Sequence, residues 1–104
     1  MIKPLRVHRL AEDELADASS WYELKQPGLG ISLLNLIDET VERVRSGRLH
    51  GSPVPRVTVS AARRVLLKGF PYSIVFYDRE EELVIIVFAH TSRRPGYWLS
   101  RDPK

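Results

Sequence analysis

Residues 72–89 read YSIVFYDREEELVIIVFA, two apolar runs separated by five consecutive charged residues. The second run is apolar at every position from 83 to 89, so a strand there has no polar face to offer water. It must be covered on both sides, which marks it as the central strand of a sheet. The charged residues 78–82 form the hairpin turn and blunt it against unwanted pairing. His90, Thr91, Ser92, Arg93 and Arg94 follow at once, then Pro95-Gly96, which ends the sheet. A rigid core strand giving way to exposed polar side chains is where a small protein usually places its function.

The upstream chain reads as scaffold. Residues 5–10 alternate apolar and polar, which predicts a short first strand. Ala11, Leu15, Ala18 and Tyr22 then fall at intervals of four, three and four, which predicts a helix over 11–25. Glu12, Asp13 and Glu14 occupy its expected first turn, where the helix dipole favours carboxylates, and Gln26-Pro27-Gly28 stops it. A second helix is expected over 29–45, with Leu34, Ile37, Val41 and Val44 as its buried stripe and Leu33 beside them. So short a break folds the two into a helical hairpin. Trp21 and Tyr22 cannot both point inward, so one is expected at the rim.

Residues 46–62 carry two prolines and two glycines and read as a surface loop, with an edge strand at 57–59, because Pro53 and Pro55 exclude a central strand. Further strands are expected at 64–68, 72–77 and 83–89, and one helical turn at 97–101. The sum is α+β: an N-terminal strand, a helical hairpin, then a three- to four-stranded antiparallel meander with the helices on one face. At 104 residues, with no internal repeat, this is one domain spanning 1–104.

Composition narrows the function. The absence of cysteine removes disulfides and thiolate metal sites, and three scattered histidines have no ligand spacing, so neither a metal nor a cofactor is expected. No run reaches the length of a signal peptide or a membrane span, which predicts a soluble, intracellular protein. The net charge of +3 is unevenly placed, with eight acids against four bases in residues 1–42 and five against twelve in 43–104. The second half therefore suits an anionic partner, or simply presents an arginine-rich solvated surface.

The segments AEDELADASSWYE, RRVLLKGFPYSIVFYD and VIIVFAHTSRRPGYW, in this order, resemble the RelE/ParE superfamily of bacterial type II toxins over nearly the whole chain. The apolar strand after Phe70-Pro71-Tyr72 and the ending with His90, Arg93 or Arg94, Pro95 and Trp98 look like the ParE-type, plasmid-stabilisation branch. The resemblance implies a cytoplasmic, growth-inhibiting toxin neutralised by a cognate antitoxin, in a hetero-oligomer or as a homodimer when alone. ParE-like members poison DNA gyrase, whereas RelE-like members cleave mRNA on the ribosome. An inactive binding module of the same fold is the third reading.

RNA cleavage through the 2′-hydroxyl needs a base, cations for the phosphorane and an acid for the leaving oxygen. The arginine that RelE-like nucleases carry near the start of this strand falls on Ser73, which supplies neither charge nor a bidentate grip. If the chain is a nuclease, the catalytic candidates are His90, Arg93, Arg94 and Tyr97. For binding a target or antitoxin the candidates are Arg63, Arg64, Lys68, His90, Arg93, Arg94, Tyr97 and Trp98. Alternation puts Arg64 and Lys68 on one strand face and Arg63 on the other. His90 follows the core strand directly, so a structural histidine bonded to backbone competes with a functional one. His8 and His50 receive no role, and Glu12, Asp13 and Asp17 read as solvated helix charges.

Overall fold

The computed structural model describes residues 3–57, 61–94 and 96–101. The first strand, β1 (Leu5–Val7), is shorter than its alternation suggests, because His8 starts the helix. His8 is extended (φ −62°, ψ 139°), its Nδ1 accepts the Leu10 N–H at 3.1 Å, and its carbonyl accepts from Ala11 and Glu12. That local cap captures Arg9 and Leu10 for helix α1 (Arg9–Lys25) and gives His8 a role its spacing did not reveal. It also leaves Glu12 alone among the acids in the first turn.

After Pro27, Gly28 turns the chain at φ 91° into helix α2 (Leu29–Arg45). Glycine brings no capping side chain, and Glu23 supplies one from α1. Its carboxylate accepts the Gly28 N–H at 2.8 Å and the Gly30 N–H at 3.0 Å. The two helices cross closely at Gly30, where a Cβ would lie 2.5 Å from the Ser19 carbonyl oxygen. This contact sets the rotation of α2. Gly30, Leu33, Ile37, Val41 and Val44 face inward, with Leu33 fully buried, while Leu34 is 38% exposed. The expected stripe is thus turned by one residue at its start.

On α1, Ala11 and Ala18 are buried, Leu15 and Tyr22 pack against the same core, and Trp21 is exposed at the rim, as the helical spacing requires. Tyr22 meets Phe70 edge-on at a centroid distance of 5.0 Å, which anchors the hairpin to the turn ahead of the next strand.

Among the described residues the sheet has five strands, in the order β1-β5-β4-β3-β2. The expected antiparallel meander is present as β3 (Arg63–Leu66), β4 (Tyr72–Asp78) and β5 (Leu83–His90). β1 adds to it in parallel beside β5, as far as Val7 opposite Ile85. The far edge is β2 (Ser52–Pro53), earlier than the strand expected at 57–59; Thr58 and Val59 lie outside the described residues. Its proline sits on an edge, where a missing N–H is tolerated. β3 stops before Lys68, which lies in the turn toward β4.

β4 is the middle strand, not β5 as its all-apolar run suggested; β5 lies between β1 and β4 and is covered on both faces. Its register with β4 slips by one residue, Val75 facing Val87 but Phe76 facing Ile85. Leu83, Ile85 and Phe88 therefore join the helix-side core, while Val84, Ile86, Val87 and Ala89 join the other. That second core is closed by Val54, Ala62 and Trp98, the last brought in just ahead of a 3-10 turn (Leu99–Arg101). None of the described helices is long and apolar enough to cross a membrane.

Candidate interaction site at the end of β5

β1 covers the outer edge of β5 only as far as Ile85, so the remaining edge needs other partners for its backbone. Side chains supply them. Glu14 Oε1 accepts the Phe88 N–H at 3.2 Å, and Arg101 Nη1 donates to the Ile86 carbonyl at 3.5 Å. The same carboxylate takes the Arg101 guanidinium in two bonds, 2.7 Å to Oε1 and 3.1 Å to Oε2, and the Tyr97 hydroxyl at 2.7 Å. Glu14 thus ties α1, the β5 edge and the C-terminal segment together. A fork-shaped guanidinium on a largely buried carboxylate is among the stronger polar contacts a protein makes.

Tyr97 lies flat under cations, with the Arg93 guanidinium carbon 4.1 Å and that of Arg101 5.4 Å from its ring centre. Its hydroxyl is pushed up to about 12, first by burial and then by the hydrogen bond and charge of Glu14. It is therefore a neutral donor at physiological pH, already committed to Glu14. His90 ends β5 edge-on to Tyr72 at 5.1 Å, and its Nδ1 accepts the Ser92 N–H at 3.0 Å, with the Ser92 hydroxyl 2.8 Å away. Accepting a backbone N–H at Nδ1 leaves the proton of a neutral ring on Nε2.

His90, Arg93 and Tyr97 form a ridge between two clefts. One, of about 420 Å³, is bounded by Glu14, Asp17, Trp21 and Tyr72 together with the ridge. The other, of about 70 Å³, lies over the second face of the sheet between Arg64, Ser73 and Arg94. Pairing explains its floor, since Arg64 stands opposite Val75 and Ser73 opposite Ala89.

Of the residues singled out by sequence, His90, Arg93, Arg94, Tyr97 and Arg64 come together here. Trp98 is 2% exposed, so it supports the small cleft from the core instead of presenting a surface. Arg63 is turned to the loop, donating to the carbonyls of His50 and Gly51, both at 2.8 Å. Lys68 lines neither cleft, and Pro95 lies outside the described residues. Glu14 and Arg101 escaped the sequence reading. Glu14 carried a signal, falling three residues after Ala11 and four before Ala18, on the inward side of α1. Arg101 carried none, because its partner is 87 residues away.

A helical hairpin packed on a five-stranded sheet, with an arginine-bearing ridge where β5 ends, defines a toxin-type α+β fold of the RelE/ParE kind. A family model described as the ParE toxin of the type II toxin-antitoxin system, parDE, matches residues 5–95, and the chain belongs to that family. A solved structure titled "Chromosomal ParDE TA system from P. aeruginosa" is similar at a TM-score of 0.70 and 21% identity, covering 86% of this chain and 96% of that one. No curated protein sequence matches.

Proposed function

We propose that this chain is the toxin of a type II module that arrests growth by binding its target, DNA gyrase in the ParE manner, rather than by cutting RNA. The observation that carries this is the state of the ridge. Tyr97 and His90 are each held in an intramolecular hydrogen bond, while Arg93 and Arg94 are exposed beside them. A phenol held neutral by a carboxylate is a poor acid or base near pH 7. Ser73, at the position where the nucleases carry an arginine, is 6% exposed and carries no charge. Exposed arginines on a rigid aromatic support are the residue types that anchor protein interfaces.

A cognate antitoxin in the bacterial cytoplasm is the second partner. Trp21 at 53%, Leu24 at 87% and Ile31 at 61% exposure leave apolar surface on the helical hairpin that a wrapping segment would cover. RelE-like cleavage remains the competing reading because His90, Arg93 and Tyr97 do stand side by side.

The test is the double charge reversal Arg93→Glu with Arg94→Glu. Growth arrest on induction of the chain alone is expected to disappear, target affinity falling at least about tenfold, as for loss of a charged interface anchor. Cellular transcripts stay intact in the parent while growth stops. Transcripts cut at codon-phased positions, with cleavage lost in His90→Ala, would establish the nuclease instead.

A further inference from the structure

Arg64 carries an unused donor. Its Nε is buried and has no hydrogen-bond partner among the described residues, an arrangement that is costly unless a partner arrives. Neighbouring Arg63 shows the contrast, its Nε and Nη2 each donating to a loop carbonyl. Arg64 instead borders the small cleft, whose other polar members are Ser73, His90, Thr91, Arg93, Arg94 and Tyr97. Three arginines meet there with no carboxylate among the lining residues. Glu14, the nearest acid of the ridge, is already taken by Arg101 and Tyr97.

We propose that this cleft is a carboxylate subsite that receives one Asp or Glu side chain of a partner polypeptide. The inference rests on the binding reading above and names the chemistry of its contact. Size and lining favour a peptide carboxylate over nucleic acid. About 70 Å³ admits one small anionic group, and Val54, Val75, Ala89 and Trp98 wall it with apolar atoms that suit the methylenes of an acidic side chain. A polynucleotide calls for a continuous basic track, whereas Arg63 is tied to its loop and Lys68 stands outside the cleft. Entry of a carboxylate neutralises the facing arginines, a charge-assisted contact stronger than a neutral one, and offers the Arg64 Nε–H an acceptor once that side chain turns toward the cleft.

The direct probe is the Arg64 Nε–H resonance of the full chain, followed by NMR during titration with acetate. A saturable shift of that signal is expected, displaced by a short glutamate-containing peptide. Arg64→Lys, which removes the Nε fork but keeps the charge, is expected to weaken acetate at least about tenfold. Should that variant fold poorly, Arg94→Ala, on an exposed side chain, is expected to weaken it up to about fivefold. No saturable shift with acetate overturns the proposal. Competition by a single-stranded oligonucleotide, with no effect of the acidic peptide, assigns the cleft to nucleic acid and overturns it equally. None of these readouts depends on toxicity, so a failed subsite and a failed toxin reading remain distinguishable.

Discussion

In Glu14→Ala the chain is expected to lose about 2–3 kcal/mol of stability, about 10–20 °C in Tm for a domain of this size. One carboxylate here accepts from the Phe88 N–H, the Tyr97 hydroxyl and two nitrogens of Arg101. Removing it strands a guanidinium whose side chain is 13% exposed and leaves a strand-edge N–H without an acceptor. The figure stays below that of a fully buried pair because the Glu14 side chain is itself 21% exposed and water partly replaces it.

The same variant has a second readout. Burial raises the Tyr97 hydroxyl to about 12, and Glu14 adds to the rise through its hydrogen bond and charge. A raised folded-state value means that the neutral phenol is favoured in the native chain. Its contribution is complete below pH about 10 and is lost as pH climbs through about 12. Without Glu14 the titration should move back toward the ordinary tyrosine value, which ultraviolet titration of the phenolate reads directly. An unchanged Tm together with an unchanged tyrosine titration would mean that the carboxylate ties nothing together.

Gly30→Val is the other change with a large expected effect, about 3 kcal/mol, at the upper end for overpacking a close contact. Its Cβ would sit 2.5 Å from the Ser19 carbonyl oxygen and 3.0 Å from Glu23 Oε1. The carboxylate can swing away, but a helix backbone cannot. α1 and α2 must part, which loosens Leu33 and Ile37 and disturbs the Glu23 cap on α2. Gly47→Ala is the internal control. At φ 79°, with nothing near the added Cβ, it carries only the left-handed strain of about 1–2 kcal/mol. Urea unfolding of both compares the two effects, and equal midpoints would show that the helices do not cross as closely as described.

Much of this fold was legible in the sequence, and the exceptions share a cause. The all-apolar run at 83–89 announced a strand buried on both faces, though β4 and not β5 holds the middle of the sheet, and the four-three-four spacing from Ala11 to Tyr22 announced the inward face of α1. Local periodicity fixes such features because the chain itself repeats them. It failed where a single contact overrode the pattern. The His8 cap shortened β1, and the Gly30 crossing brought Leu33 inward and left Leu34 at the surface. The parallel pairing of β1 with β5 joins segments 78 residues apart and leaves no local trace.

The site divides in the same way. His90, Arg93 and Tyr97 were legible because they cluster in sequence just after a core strand. Arg64 joins them through strand alternation, and Trp98 drops out because the second sheet face needed a large apolar cover. Glu14 could be read only by treating an acid on the apolar side of a helix as a question instead of a dipole partner. Its answer, Arg101, is supplied by tertiary structure alone.

The central claim is that the ridge works by binding and the target lies in DNA metabolism. The most direct test induces this chain alone and follows the rates of DNA and protein synthesis through the first minutes. The account predicts that DNA synthesis falls first while translation continues. An immediate fall in protein synthesis, with DNA synthesis following later, would contradict it.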